Sequence, residues 1–366
     1  MNAAVLQPAR LEGAESQQRL TDMFAGVLIG TALGDALGLP MEGLTQHRQQ
    51  RLFPQPLRHR LLAGRGMLSD DTEHTLMVAQ ALLAYPDDAR AFQRCVAWKL
   101  RWWLLALPAG VGFATLRAVL KLWLGISPET SGVFSAGNGP AMRSAILGVF
   151  FAEQSDKRRA FVSAATRLTH TDPRAEVAAL AVAEAAAWVV SGSNDVGGLF
   201  TSLEDVSANA EWQALLQRMR SAFDEKLTTQ EFAAVLGLTR GVTGYAFHTV
   251  PVALYSMLLH LDDFRAALSD AIACGGDTDT VGAITGALVG ARVGVAGIPE
   301  EWRNGILEWP RSVSLLEAVA ERLGRQQHSP TALGAVRYFW PAVPLRNLLF
   351  LAVVLCHGFR RLLPPY

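Results

Sequence analysis

Apolar residues recur along most of the chain with the period of a helix, and glycine and proline separate the apolar segments. Alternating runs of β-branched and polar residues long enough for a strand are hard to find. The pattern therefore predicts an all-α protein. Besides two glycine-rich helices, we predict helices near residues 71–84, 88–105, 141–151, 157–168, 174–190, 211–223, 229–236, 249–259 and 263–273.

Two of the predicted helices, residues 21–37 and 281–294, carry glycine at every fourth position. Each interior glycine costs a helix about 1 kcal/mol relative to alanine, so the repeat needs a reason. Residues four apart share one helix face, and a bare face allows close approach of a neighbour. We expect the two stripes to pack against each other or against common partners. The stripes consist of Gly26, Gly30, Gly34 and Gly38, and of Gly282, Gly286, Gly290 and Gly294.

The overall charge balance excludes one large class of function. The 366 residues include 33 basic and 33 acidic side chains, so the formal net charge is zero. No broad basic footprint is present, and we expect no nucleic-acid partner. Arginines cluster within residues 48–65 and at Arg360–Arg361, where a solvated face is the simplest interpretation. The three widely spaced cysteines and the absence of a signal-peptide pattern predict a cytoplasmic protein.

The chain divides into three parts by composition. Residues 1–20 are polar and predict a flexible N-terminal arm or a frayed leading helix. Residues 21–315 form the helical domain, in which 130–140 and 191–210 are interpreted as loops. Residues 316–366 form a C-terminal extension with a polar linker at 325–330 and an apolar run at 348–359. That run predicts either a helix docked on the domain or an interfacial helix, and no transmembrane segment is expected.

Two short acidic stretches carry the strongest chemical signal. Ser69-Asp70-Asp71-Thr72 and Gly275-Gly276-Asp277-Thr278-Asp279-Thr280 each precede an apolar helical pattern, so each is predicted to begin a helix. A helix needs one cap, for example Ser69 or Asp70 with Glu73 closing a capping box. Capping leaves other carboxylates unexplained, because close carboxylates repel without a cation. Carboxylate and hydroxyl oxygens suit Mg²⁺, Mn²⁺ or Ca²⁺ rather than zinc.

Four other positions are candidates for a role in the site. Glu42, after the first glycine-rich helix, is either solvated or a catalytic acid or base. Asn138 lies between two glycines and is either a plain turn residue or a phosphate ligand. His170, in a loop, could make a simple polar contact. Tyr245 could stack on a ring or fill the core.

The order of these motifs resembles the ADP-ribosylglycohydrolase family, which includes the bacterial dinitrogenase-reductase-activating glycohydrolases. The resemblance rests on Gly34-Asp35-Ala36-Leu37-Gly38 with Glu42, the two acidic stretches, Gly137-Asn138-Gly139-Pro140-Ala141-Met142-Arg143 and Thr169-His170. It implies a compact orthogonal helical bundle with a binuclear Mg²⁺ or Mn²⁺ centre at the base of a cleft. The implied metal ligands are Ser69, Asp70, Asp71, Asp277, Asp279 and Thr280. The implied substrate-binding residues are Asn138, Gly139, Met142, His170 and Tyr245, and the implied catalytic residues are Glu42, Asp70 and Asp279. Many members have threonine in place of Ser69.

The resemblance further implies hydrolysis of an N-glycosidic bond between ADP-ribose and a protein side chain, with arginine as the favoured linkage. The partner would be an ADP-ribosylated protein. The alternative is an immunity protein that blocks an ADP-ribosyltransferase toxin, with residues 1–20 as a plug and with or without hydrolase activity. An inactive structural relative is disfavoured because both acidic stretches and Glu42 are intact.

Overall fold

Helices dominate the computed structural model, which describes residues 6–363 and their side chains from Glu15 onward. Seventeen α-helices and no strand occur in this range, which confirms the all-α prediction. The helices are α1 Leu6–Gly38, α2 Gln46–Leu52, α3 Asp70–Ala84, α4 Ala89–Leu105, α5 Phe113–Trp123, α6 Ala145–Phe150, α7 Ser155–Arg167, α8 Pro173–Val190, α9 Val196–Glu204, α10 Ala210–Asp224, α11 Thr229–Val235, α12 Ala246–Leu259, α13 Phe264–Ala273, α14 Thr278–Val293, α15 Glu300–Arg303, α16 Val313–Gln326 and α17 Val343–Arg361.

Several boundaries differ from the sequence prediction. Helix α1 begins at Leu6, so residues 6–20, predicted as an arm or frayed helix, continue into the glycine-rich helix without a break. Residues 1–5 lie outside the described residues. The 191–210 segment contains α9, and α16 crosses both the predicted boundary at residue 315 and the start of the predicted linker. Helix α16 buries one face, including Leu316 and Leu323, against the domain, and this packing extends the helix across the predicted boundary.

The two glycine stripes pack directly against each other, as predicted. Helices α1 and α14 run antiparallel, and a Cβ atom at Gly30 would lie 2.0 Å from the carbonyl oxygen of Gly286. Gly26 faces Gly290 and Gly34 faces Gly282 with the same closeness. Gly294 departs from the prediction because it is the C-cap of α14, with φ of 64°. The missing side chains thus allow backbone contact along the centre of the domain.

The remaining helices pack around the α1–α14 pair and do not cover the loops at one end of it. Helices α3 and α16 pack on α1, whereas α8, α12 and α13 pack on α14. Helices α4, α6 and α7 complete the second layer around α3 and α8. This arrangement brings the end of α1 and the beginnings of α3 and α14 to the same region.

Two helices of the described residues pass a test of length and apolar composition for crossing a membrane. The first covers Glu15–Met41 and is 89% buried inside the protein, as a core helix would be. The second covers Trp340–Arg361 and is only 33% buried. Length and composition alone are weak evidence, so the expected absence of a transmembrane segment stays a prediction.

Candidate active site

Seven loops meet around a cavity of about 370 Å³. They precede α3, α5, α6, α8, α12 and α14 or follow α1, so the site lies where helices begin and end. The cavity is lined by every predicted site residue except Asp71 and Tyr245, namely Glu42, Ser69, Asp70, Asn138, Gly139, Met142, His170, Asp277, Asp279 and Thr280. The fold therefore unites motifs that are more than two hundred residues apart.

The first acidic stretch does not form the capping box that the sequence allowed. Ser69 is the N-cap of α3, but its side chain accepts no bond from the helix, and its Oγ has no hydrogen-bond partner. Glu73 points away from Ser69 and instead accepts from Trp103 Nε1 and pairs with Arg311 and Arg346. The capping box that the sequence left open as an alternative does not form, because Glu73 pairs with two arginines from the C-terminal part of the chain.

Asp35 fixes the first acidic stretch through hydrogen bonds from the core of the protein. This carboxylate is fully buried in α1, and its Oδ2 accepts hydrogen bonds from Ser69 N (2.8 Å), Thr72 N (3.3 Å) and Thr72 Oγ1. Its Oδ1 has no partner. Asp35 thus satisfies N–H groups at the start of α3 and leaves the Ser69 hydroxyl and the Asp70 carboxylate free to face the cavity.

The second acidic stretch contacts both the first stretch and the Gly-Asn-Gly loop. Thr280 Oγ1 lies 3.4 Å from Asp71 Oδ2, which joins the starts of α3 and α14. Asn138 donates from Nδ2 to Asp277 Oδ2 at 2.5 Å and to Thr249 Oγ1 at 2.9 Å. Asp277 is the N-cap of α14 without a side-chain cap bond. These contacts place all four aspartates of the two stretches at one site.

Burial and mutual repulsion raise the pKa values of the clustered carboxyl groups. Burial is the main cause for Asp70, Asp71 and Asp279, whose pKa values lie well above the usual range, and neighbouring carboxylates add to it. Burial also raises the pKa of Asp35 to about 6, although its hydrogen bonds oppose the shift. Among the described residues, no Lys, Arg or His pairs with any of these carboxylates within 4 Å. The cluster therefore lacks a compensating cation from the protein.

Three orphaned oxygens make this cluster suitable for metal ions. Ser69 Oγ, Asp71 Oδ1 and Asp279 Oδ1 are buried and lack any hydrogen-bond partner. Native proteins rarely leave such atoms unsatisfied, and hard divalent cations bind oxygen donors of this kind. Within the described chain, no three His, Cys, Asp or Glu side chains already form a closed cage. The donor set, rather than a preformed cage, fits Mg²⁺ or Mn²⁺.

Glu42 lies on a turn that is tied to the second acidic stretch. Gly43 N donates to Gly276 O and Gly276 N donates to Leu44 O, both at 2.7 Å. Gly276 has φ of 80°, and a Cβ there would lie 1.9 Å from Val242 O, so only glycine fits. Desolvation, followed by the charge of Asp277, raises the pKa of Glu42, and Arg361 opposes this shift. A raised pKa suits a group that exchanges protons near neutral pH.

His170 and Met142 also line the cavity. His170 is buried, with its Nδ1 2.8 Å from Thr169 Oγ1, and a Cβ at Gly137 would lie 3.0 Å from its Nε2. Burial, followed by the charge of Arg143, lowers the pKa of His170 to about 3. The imidazole is therefore neutral at physiological pH. Met142 is buried beside it, and its carbonyl accepts from Thr75 Oγ1 at 3.1 Å.

Tyr245 does not line the cavity. It is the N-cap of α12, and its hydroxyl donates to Glu211 Oε1 at 2.7 Å, while Arg174 stacks over its ring at 5.7 Å. Its predicted contact with substrate stays a prediction. The described structure places its polar group in a surface cluster outside the cavity.

Three features of the site were missed by sequence reasoning. Asp35 could have been recognised, because a carboxylate inside a buried glycine-rich helix needs partners. Arg143 is buried beneath the site and bonds to His74 Nδ1, Ala165 O and Thr169 Oγ1. Phe350 and Val354 of α17 line the cavity. No local signal in the sequence connects α17 with residues three hundred positions earlier.

Comparisons with known proteins give the class to which this helical fold with its carboxylate-lined cavity belongs. A family model described as ADP-ribosylglycohydrolase matches residues 16–332. The chain belongs to the ADP-ribosylglycohydrolase family, whose members hydrolyse ADP-ribose linkages, which confirms the resemblance. Its helical architecture is that of the family, as predicted.

Similar proteins occur in archaea, bacteria and animals. An uncharacterized protein of Archaeoglobus fulgidus is 31% identical over 83% of this chain and 96% of its own length. The ADP-ribosyl-[dinitrogen reductase] glycohydrolase of Rhodospirillum rubrum is 27% identical over 77% of this chain and 89% of its own. Human ADP-ribosylhydrolase ARH3 is 26% identical over 78% and 89%, respectively. A solved structure titled "ADP-ribosylglycohydrolase-related protein complex" superimposes with a TM-score of 0.56 at 27% identity, covering 85% of this chain and 99% of that one.

Proposed function

We propose that the protein removes ADP-ribose from a modified protein side chain, with arginine as the favoured linkage, using two divalent ions. One observation carries this proposal: both acidic stretches, Glu42 and the Asn138 loop line one cavity. The carboxylate-rich cavity also suits the cationic guanidine group of a modified arginine. The relative from Rhodospirillum rubrum is named for its action on an ADP-ribosylated protein, and this name supports a protein substrate.

The proposed metal ligands are Ser69, Asp70, Asp71, Asp277, Asp279 and Thr280. Bound Mg²⁺ or Mn²⁺ would orient the ribose hydroxyls and lower the pKa of a water molecule near the anomeric carbon. Asn138 presents a fixed amide because Asp277 and Thr249 accept from its Nδ2. The neutral His170 and Met142 form further parts of the cavity wall. These side chains bind and orient the substrate.

Hydrolysis places a water oxygen on the anomeric carbon while the carbon–nitrogen bond breaks. The bonding pair leaves with the nitrogen, which takes up a proton. Nearby carboxylates stabilise the positive charge that develops on the sugar. Glu42 has a raised pKa and faces the cavity, so we assign it the proton transfer. Asp70 and Asp279 are the alternatives for this role.

The test is ADP-ribose release from substrates of different linkage. Purified protein is incubated with ADP-ribosyl-arginine and ADP-ribosyl-serine peptides in Mg²⁺, in Mn²⁺ and in EDTA. We expect release from the arginine peptide, and none in EDTA. The double variant Asp277→Ala plus Asp279→Ala should lose activity more than about a thousandfold. Full activity of that variant would refute the metal role, and release from the serine peptide alone would refute the linkage.

A matched control separates chemistry from helix capping. Asp88 also stands at a helix N-terminus, where its carboxylate accepts from Arg90 N and Ala91 N at 2.9 Å. It is exposed and outside the cavity. Asp88→Ala should lower the stability slightly, because the N-cap bonds are lost, and leave the activity unchanged.

The immunity alternative rests on residues 1–20 as a plug. Residues 6–20 are a continuous part of α1, so no feature of the described residues favours a detached plug. Toxin-protection assays still separate the two roles. Protection that requires residues 1–20 but survives Asp279→Ala would support blocking, and the reverse result supports hydrolysis.

A further inference from the structure

The C-terminal helix α17 has an apolar outer face, whereas its inner face is mixed and buries Val343 and Phe350 together with polar side chains. Its inner face carries polar anchors: Arg346 donates to Leu68 O at 2.6 Å, Asn347 Nδ2 to Ala106 O at 2.8 Å, and His357 Nε2 lies 2.8 Å from Pro40 O. Its outer face is leucine-rich and exposed. Surface helices usually bury the apolar stripe and expose the polar one, so the outer face of α17 needs an apolar partner.

The outer face is apolar along its whole length. Leu345 is 71% exposed, Leu355 51% and Phe359 66%. Between these positions the exposed residues of the helix include no charged or amide side chain: Leu348, Leu349, Leu351, Ala352 and Cys356. A contiguous apolar patch of this kind marks an interaction surface.

Arginines gather at the C-terminal end of this helix. Leu61 belongs to the same buried cluster as Phe350 of this helix, and Arg48 donates to the carbonyl oxygen of Arg361, so the segment that carries Arg58 and Arg60 lies beside α17. Burial, followed by the charges of Arg58 and Arg360, lowers the pKa of Arg60. No carboxylate of the described residues pairs with any of the three. Like charges repel unless an anionic partner offsets them. The two arginine groups noted in the sequence are thus one basic cluster at the end of the apolar face.

Tryptophans gather at the N-terminal end. Trp102 packs edge-on against Trp98, Trp123 and Trp340, with ring centroids 5.6 to 6.2 Å apart. Trp98, Trp102 and Trp123 are exposed, and none of the four indole N–H groups donates to another described residue. Indole rings with free N–H groups favour the boundary between lipid and water.

We propose that the outer face of α17 binds the surface of an anionic lipid bilayer, with the helix parallel to the membrane plane. The leucine-rich face enters the acyl boundary, the tryptophans lie at headgroup level, and the Arg58–Arg60–Arg360 cluster contacts anionic headgroups. Helices with Leu, Phe and Trp on one side and basic residues alongside bind membranes in this way. Between Leu345 and Phe359 the face lacks the interspersed polar groups of protein interfaces, which favours lipid over a protein partner.

This orientation would bring the active-site cavity close to the bilayer. Phe350 and Val354, on the inner side of α17, line the cavity with the acidic stretches. Arg361, at the end of the helix, donates to the carbonyl of Glu42. A membrane-bound enzyme would therefore act on substrates held at the same surface. Lipid binding itself does not depend on the proposed hydrolysis, so the two proposals fail independently.

The test is flotation of the full-length protein with vesicles of phosphatidylcholine alone or with 30% phosphatidylglycerol. We expect flotation with the anionic vesicles, and a decrease of more than about tenfold in the bound fraction for Leu348→Glu plus Leu355→Glu. The triple change of Arg58, Arg60 and Arg360 to glutamine should abolish the preference for anionic lipid. Both variants should keep the unfolding temperature and the activity in solution.

Val235→Glu is the matched control. Val235 is 51% exposed on α11, so the substitution adds charge to an equally exposed apolar position, and flotation should not change. Equal flotation of the Leu348/Leu355 variant would overturn the proposal. A dimer in light scattering that the leucine changes dissolve, without vesicle binding, would assign the face to a second copy. Resistance to carbonate extraction would overturn surface binding in favour of a membrane-spanning helix.

Discussion

The hydroxyl of Ser69 makes no hydrogen bond in the metal-free protein, so its removal breaks none. Ser69 is an N-cap without a cap bond, and its Oγ is orphaned. We therefore expect Ser69→Ala to leave the free energy of unfolding of the metal-free protein unchanged, while the affinity for Mn²⁺ falls about tenfold or more. Chemical denaturation in EDTA and calorimetric titration with Mn²⁺ measure the two effects.

Ser312 provides the comparison for Ser69. It is the N-cap of α16, and its Oγ accepts from Leu315 N at 3.3 Å. Ser312→Ala should cost about 1 kcal/mol without changing Mn²⁺ affinity. A similar loss of stability in Ser69→Ala, with unchanged Mn²⁺ affinity, would make Ser69 an ordinary cap.

Asp35 predicts how the metal-free protein responds to pH. Its pKa is raised from 3.8 to about 6, so the folded state holds the proton more tightly than the unfolded state. The stability gained from this proton is complete below the unfolded pKa and is lost as the pH rises through 6. Between pH 5 and pH 8 this loss amounts to roughly 1 to 2 kcal/mol. Unfolding in EDTA should therefore require more denaturant at pH 5 than at pH 8.

Asp35→Asn tests the assignment of this effect. The variant keeps an acceptor for Ser69 N and Thr72 N but cannot ionise, so its stability should depend less on pH. The pKa values of three further carboxyl groups are also raised, those of Asp70, Asp71 and Asp279. Part of the dependence of stability on pH should therefore remain in the variant. An unchanged slope in Asp35→Asn would contradict the role given to Asp35.

At the scale of elements, the contact between α1 and α14 depends on backbone closeness. Gly30→Val would place a Cβ 2.0 Å from Gly286 O, so the helices must separate. We expect a loss of about 3 kcal/mol or more in the free energy of unfolding. Activity should fall as well, because the two helices carry Asp35 and the second acidic stretch.

Gly358→Ala is the control for a helical glycine without close contacts. A Cβ at Gly358, in α17, meets nothing within 4 Å. Alanine should stabilise the helix by up to about 1 kcal/mol. Stabilisation by both substitutions would show that helix propensity, rather than close approach, determines the effect at Gly30.

The sequence predicted those elements whose signals are local. The glycine stripes and the acidic stretches are periodic or contiguous, so their pairing and their place at helix starts could be inferred. Helix α16 was missed because only packing on α1 carries it past residue 315. The Glu73 side chain pairs with Arg311 and Arg346 instead of closing a capping box, and no local sequence pattern indicates such a distant pairing. For the same reason, the sequence did not predict that α17 forms part of the cavity wall.

At the scale of the whole molecule, the chain has two unlike parts. Residues 16–332 match the family and contain every predicted site residue. Helix α17 lies beyond that match, yet its inner face closes the cavity and its outer face is apolar. The cytoplasmic location predicted from the sequence is compatible with a protein that attaches to a membrane from that side.

The central claim is that cations bind between the starts of α3 and α14. The most direct measurement is an anomalous difference map from a crystal grown in manganese. We predict two peaks within coordination distance of oxygen atoms of Ser69, Asp70, Asp71, Asp277, Asp279 and Thr280. A map without peaks there, with the aspartates apart or paired with arginines, would contradict the account.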